Sequence, residues 1–120
     1  MSTYKVVFSD IDGTLLTSEH IVSTATIEAI ASLQDKNIPF VIISSRSASC
    51  IYPILEKHHF QCPIVACGGA WIEDMNGRIL SNEGMSKQTA ATVIEFMTEK
   101  KFDLAWGIYC LLYTSDAADD

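Results

Sequence analysis

Residues 4–16 read Tyr4-Lys5-Val6-Val7-Phe8-Ser9-Asp10-Ile11-Asp12-Gly13-Thr14-Leu15-Leu16. A segment rich in β-branched and aromatic side chains stops at two carboxylates and a glycine, the pattern of a buried strand closed by a turn. Asp10 and Asp12 are two apart, so in extended chain they face the same way and Ile11 faces the core between them. Two carboxylates on one side of a crevice repel, and a cation or a retained proton relieves the repulsion. Gly13 permits a turn that a residue with a Cβ resists, and Thr14 adds a hydroxyl donor. An ordinary Asp-Gly turn accounts for Asp12 and Gly13. It does not account for a second acid, Asp10, at the end of an apolar strand.

Outward from this segment the chain alternates helix and strand. Ser23 is placed to cap a helix reaching about Lys36, with Ile27, Ile30 and Ala31 on one face. Asn37 suits a left-handed helix cap. Ile38–Ser44 is a near-continuous apolar run, the signature of a strand covered on both faces in a parallel sheet. A second helix falls within Ser47–His58, and Pro53 requires it to start near Cys50 or to kink. Pro63–Ala66 reads as a third strand. Trp71–Glu73 and Arg78–Leu80, joined through Asn76-Gly77, read as a hairpin. Ser86 caps a last helix to about Lys101, with Ala90, Val93, Ile94 and Met97 at helical spacing, and Phe102–Tyr109 begins another strand. The order β-α-β-α-β predicts an α/β fold, a doubly wound parallel sheet with right-handed crossovers.

In such sheets ligands bind beyond the carboxyl ends of the strands. Ser44-Ser45-Arg46-Ser47 stands at that position after the second apolar run. Hydroxyls and free N–H groups at a helix N-terminus suit phosphate, and Arg46 can add a guanidinium fork. The candidate site is therefore Asp10, Asp12, Thr14, Ser44, Ser45 and Arg46. His58 and His59 follow a helix and read as C-cap and surface residues.

Composition narrows the function. With 48% hydrophobic and 19% charged residues the chain is globular, not disordered. Fifteen acids against eight bases give −7, with no Lys/Arg cluster, so neither nucleic acid nor an anionic membrane is expected as a partner. Apolar stretches such as Ile38–Ile43 are far too short to span a bilayer, and the N-terminus carries no signal-peptide pattern, which points to the cytoplasm. Cys50, Cys62, Cys67 and Cys110 lack metal-ligand spacing and read as buried thiols. The sequence carries no signal for oligomeric state.

Residues 110–120, CLLYTSDAADD, stand apart. Cys-Leu-Leu-Tyr-Thr-Ser can be spelled TGT CTC TTA TAC ACA TCT, which resembles a transposase adapter of sequencing libraries, and the following residues continue the match. This segment is expected to be a non-native adapter translation. Without it the net charge becomes −4.

Asp10-Ile11-Asp12-Gly13-Thr14-Leu15 resembles the first signature motif of the haloacid dehalogenase-like (HAD) hydrolases. Ser44-Ser45-Arg46 is similar to the second motif, Thr/Ser-Gly-Arg in the Cof-type (IIB cap) branch, with Ser45 in place of Gly. Cys67-Gly68-Gly69-Ala70 resembles the Asn-Gly-Ala segment that leads into the cap, with Gly68 in place of Asn. The resemblance implies a HAD-like Rossmannoid core, its N-terminal half with the hairpin over 1–80, the start of a truncated α+β cap domain over 81–109, and the adapter tail over 110–120.

It also implies the chemistry. Asp10 would be the nucleophile, forming an aspartyl-phosphate, and Asp12 the general acid and base. Mg²⁺ would bind Asp10 and Asp12, the latter through its carbonyl, and Ser44 would hold a phosphoryl oxygen. The partner would be a small phosphorylated metabolite: a sugar phosphate, with phosphorylated cofactors such as pyridoxal phosphate behind it. The family's third-motif Lys and fourth-motif acidic pair are not found after Tyr109, so this chain is expected to be inactive by itself and its parent to be a phosphatase. Three other readings are a phosphosugar mutase of the same branch, a receiver-like phosphoacceptor domain and a non-catalytic binding module, which the presence of both acids and the Ser site disfavours. The receiver places its acceptor Asp after the third strand, where this chain has Ala66-Cys67-Gly68-Gly69.

Overall fold

The structure is a computed structural model and describes residues 3–100. The expected strand over 102–109, the adapter segment 110–120, Trp106 and Cys110 lie outside the described residues. Eight principal elements follow in chain order: β1 (Val7–Ser9), α1 (Thr24–Asp35), β2 (Phe40–Ile43), α2 (Ala48–Lys57), β3 (Ile64–Ala66), β4 (Trp71–Glu73), β5 (Ile79–Asn82) and α3 (Lys87–Glu99). By contacts the chain divides into a unit ending at Gly84 and one beginning at Met85.

The first unit is built on one five-stranded sheet in the order β1-β2-β3-β4-β5. β1, β2 and β3 are parallel, with Val7 beside Phe40 and Ile42 beside Ile64. β4 runs antiparallel to β3, and β5 to β4. The α/β architecture is as expected, and the hairpin extends the same sheet, making it mixed. Its turn is tied by Asp74, whose Oδ1 accepts the N–H groups of Asn76 and Arg78 at 2.9 Å each.

Local chemistry accounts for the elements. Ser23 caps α1 by accepting the Thr26 N–H at 3.2 Å, the side-chain cap that satisfies an orphan helix donor. Asn37 takes the left-handed conformation, φ 57°, and closes α1 as its residue type allows. α2 begins at Ala48, ahead of the expected start near Cys50, and runs through Pro53, which lacks the N–H that would reach one turn back.

The core lies on one face of the sheet. Val7, Phe40, Ile42, Ile64 and Ala66 point into a single cluster that α1 joins through Ile27 and Ile30 and α2 through Ile51 and Ile54. The alternate residues point the other way, and Phe8 there is 58% exposed. The apolar run of β2 predicts cover on both faces; on the second face Val41 is buried and Ile43 is exposed, so the cover there is partial. Of the cysteines, Cys62 is buried as expected, whereas Cys50 is exposed and Cys67 half-buried.

In the second unit, α3 is capped by Ser86, which accepts the Thr89 N–H at 3.1 Å. The Lys100 ammonium stands 5.7 Å from the centroid of the Phe96 ring, within cation–π range.

Candidate active site

Because β1, β2 and β3 are parallel, their carboxyl ends share one edge of the sheet, and the segments leaving them are neighbours. Residues 10–16, 44–47 and 67–70 are those segments.

The first is a wide, non-helical turn, Ile11–Leu15, closed by the Leu16 N–H on the Ile11 carbonyl at 3.1 Å, with Asp12 extended and Gly13 left-handed. Asp10 caps it: its Oδ1 accepts the Ile11 N–H at 2.8 Å. Ile11 is fully buried and anchors the turn in the core, which leaves Asp10, Asp12 and Thr14 exposed around it. Gly13 supplies φ 76°, a conformation that strains any residue with a Cβ.

The second segment is pinned by Ser44, only 8% exposed. Its N–H donates to Val65 O at 2.9 Å, and its Oγ accepts the Arg46 N–H at 3.0 Å. That bond uses an oxygen lone pair and leaves the hydroxyl hydrogen available to a ligand. Ser45 is exposed. The third segment locks onto the second: the Cys67 N–H donates to Arg46 O at 2.8 Å and the Gly68 N–H to Ser44 O at 3.0 Å. Cys67 and Gly68 both have positive φ, 52° and 65°, which turns their N–H groups back toward the Ser44 loop. The Gly-Gly pair was the sequence signal for this hook; its target was not readable.

The first and second segments meet through an ion pair. Arg46 Nε donates to Asp12 Oδ2 at 2.9 Å and Arg46 Nη2 to Asp12 Oδ1 at 2.6 Å, a fork-to-fork contact. Sequence reasoning had aimed Arg46 at a phosphate and did not foresee this partner. The guanidinium bond holds the Asp12 carboxyl below its usual range and raises Arg46 above its own. Hydrogen bonding to the charged form is the dominant cause. A proton donor needs the opposite bias, so Asp12 in this state is held as an anion.

For a divalent metal, Asp10 offers a carboxylate and Asp12 a main-chain carbonyl, the hard oxygen donors that Mg²⁺ takes. Among the described residues no group of three or more His, Cys, Asp or Glu gathers to hold a metal, so these two donors fit Mg²⁺ as part of a coordination shell.

A cavity of ≈490 Å³ lies elsewhere, lined by Tyr52, Glu56, Cys62, Glu73, Asp74 and Met75 among others. Cys62 precedes β3 and Glu73 pairs with Ile64 at the start of β3, so this cavity is at the opposite end of the parallel strands. Beside it, Glu73 is buried and accepts from Trp71 Nε1 at 2.8 Å and from the Tyr52 hydroxyl. Sequence reasoning did not single out this carboxylate.

A mixed sheet with acids after its first strand and a Ser-Arg loop after its second defines the α/β class of the chain, and sequence comparison gives its family. The profile of the haloacid dehalogenase-like hydrolases matches residues 7–118, and the chain belongs to that family. It is 28% identical over 116 residues to the pyridoxal phosphate phosphatase YbhA of Escherichia coli, covering 96% of this chain and 40% of that protein. It is 29% identical over 112 residues to the 5-amino-6-(5-phospho-D-ribitylamino)uracil phosphatase YwtE of Bacillus subtilis, covering 93% and 36%. The structure of a haloacid dehalogenase-like hydrolase from B. subtilis superimposes with a TM-score of 0.76 at 28% identity, over 81% of this chain and 34% of that one. The chain thus spans well under half the length of these relatives.

Among the described residues, no helix is long and apolar enough to cross a membrane.

Proposed function

We propose that this chain carries the nucleophile-bearing part of an Mg²⁺-dependent phosphohydrolase acting on a small phosphorylated metabolite, a sugar phosphate in the first instance. We place the protein in the cytoplasm. Residues 1–80 are read as the N-terminal half of the core with its hairpin, and 81–109 as the start of the cap. The observation that carries the reading is the bidentate Arg46–Asp12 contact. It puts the acid pair and the Ser-Arg loop at one sheet edge, as phosphoryl transfer needs. The names of the relatives, all phosphatases of small phosphorylated compounds where a compound is given, support the substrate class.

In this mechanism Asp10 attacks phosphorus in line. One Asp10 oxygen–phosphorus bond forms as the ester oxygen–phosphorus bond breaks. Asp12, released from Arg46 and protonated from solvent before this step, delivers that proton to the leaving oxygen. A water then attacks the aspartyl-phosphate and yields its proton to Asp12, and inorganic phosphate leaves as the Asp10 bond breaks. Ser44 Oγ–H and Arg46 hold non-bridging oxygens, with Thr14 and Ser45 lining the approach. Mg²⁺, held by the Asp10 carboxylate and the Asp12 carbonyl, would neutralise charge on the phosphoryl group. The family's Lys and distal acidic pair supply the remaining counter-charge, and the 120-residue chain alone is inactive.

The test is turnover of a phosphomonoester panel by a longer reading frame containing this chain, with Asp10→Asn beside it. Release of phosphate, lost in the variant, with a hydroxylamine-labile phosphoenzyme in the parent, supports the reading. Relocation of phosphate on the sugar without release indicates a mutase instead. Turnover by the 120-residue chain itself, abolished by Asp10→Asn, overturns its assigned inactivity.

A further inference from the structure

We propose that Asp12 is the built-in occupant of an anion site formed by Arg46, so that the free chain blocks its own phosphate subsite and substrate phosphate must displace the carboxylate. This rests on the reading of the two loops as phosphate-handling segments, and it adds a self-inhibiting contact to them.

Three observations lead there. First, the contact uses the side-on Nε/Nη2 edge of the guanidinium, with bonds of 2.9 and 2.6 Å to the two carboxylate oxygens. That edge presents two parallel donors, the geometry that phosphate also accepts. A ligand phosphate and Asp12 therefore compete for the same atoms. Second, the Arg46 main chain is fixed on both sides of its Cα. Its N–H donates to Ser44 Oγ and its carbonyl accepts from the Cys67 N–H. The donor edge is thus presented from an anchored position, and only the far partner needs to change. Third, the pair is accessible, with side chains 34% and 53% exposed for Arg46 and Asp12. Exposed ion pairs are weak, and a phosphate dianion carries more charge than a carboxylate, so exchange needs no unfolding. Asp12 sits immediately before Gly13, whose positive φ forms the turn.

The exchange orders events at the site. While Arg46 holds Asp12, the carboxylate is parked against the neighbouring loop. When phosphate takes the fork, Asp12 is freed at the moment a leaving group is at hand. Arg46 is therefore a positioning residue for Asp12 as well as a ligand for phosphate.

The experiment titrates inorganic phosphate into the 120-residue chain by calorimetry, using wild type, Asp12→Asn, Arg46→Ala, the double variant and Ser44→Ala. Self-blocking predicts that Asp12→Asn binds phosphate about two- to sixfold tighter than wild type, the gain expected when a weak, exposed internal competitor is removed. It also predicts that this gain disappears when Arg46 is absent. Arg46→Lys, a point charge without the fork, should retain some phosphate binding and show a smaller gain from Asp12→Asn. A gain of equal size with and without Arg46 would mean simple charge repulsion and overturns the proposal. Wild-type binding that weakens in Ser44→Ala but is unmoved by Asp12→Asn also overturns it, while leaving the phosphate-site reading intact. Absence of phosphate binding in every variant sinks both.

Discussion

The imidazole Nε2 of His58, at the C-terminus of α2, accepts a hydrogen bond from the main-chain N–H of Val22, 36 residues earlier, at 3.3 Å. The bond ties the end of α2 to the chain entering α1. An accepting Nε2 must be unprotonated, and burial, with Lys57 and His59 nearby, lowers the His58 pKa below 6.5.

The sign of the linkage follows. Below pH 6.5 the unfolded chain binds a proton that the folded chain resists, so the stabilisation is present above that pH and is lost as pH falls. Urea midpoints should fall between pH 8 and pH 5.5. His58→Gln, whose amide oxygen can accept without titrating, should flatten that slope. His58→Ala should cost about 1 kcal/mol at pH 8, the net worth of one hydrogen bond.

Glu73 gives a second test. It is 3% exposed and shares one oxygen, Oε2, between the Trp71 indole and the Tyr52 phenol. Removing either donor leaves a buried carboxylate short of a partner, at a cost of about 1–3 kcal/mol. Tyr52→Phe and Trp71→Phe should each lower the denaturation midpoint accordingly. Burial and the neighbouring carboxylate both raise the Tyr52 pKa above 10. In an alkaline absorbance titration one late-ionising tyrosine should be present in wild type and missing in Tyr52→Phe.

Gly13 isolates backbone strain from packing. A Cβ built there meets nothing within 4 Å, yet φ is +76°. Gly13→Ala should therefore cost about 1–2 kcal/mol through conformation alone. A parallel gain in phosphate affinity would show that the turn also positions Asp12 on the Arg46 fork.

The two faces of the sheet should respond oppositely to substitution. Ile42 is fully buried in the cluster shared by α1 and α2, and Ile42→Ala should cost about 2–5 kcal/mol. Phe8, on the same sheet but exposed, should tolerate Phe8→Ser with little loss of stability. That change should also reduce self-association, since exposed apolar surface favours it. Equal destabilisation by both would contradict the one-sided core.

What was legible in the sequence was local. Strand–helix alternation, the serine caps at Ser23 and Ser86, the left-handed Asn37 and the hairpin over Trp71–Leu80 depend on side-chain periodicity and turn chemistry within a few residues. The candidate site was legible to the same extent: Asp10 and Asp12 at a strand end, and Ser44 to Arg46 at the next. The tertiary structure decided what required two distant segments at once. The Arg46–Asp12 pair joins residues 34 apart, and the Tyr52–Glu73 contact joins residues 21 apart. The main-chain hook from Cys67 and Gly68 onto the Ser44 loop needs the β2–β3 register. Nothing in a local pattern states which donor will face which acceptor, because that choice is made by strand pairing and by burial of Ile11, Ile42 and Ile64 in a common core. The exposure of Phe8 and Ile43 beside a buried Val41 on the second face was decided there too, since what covers each position depends on segments distant in sequence.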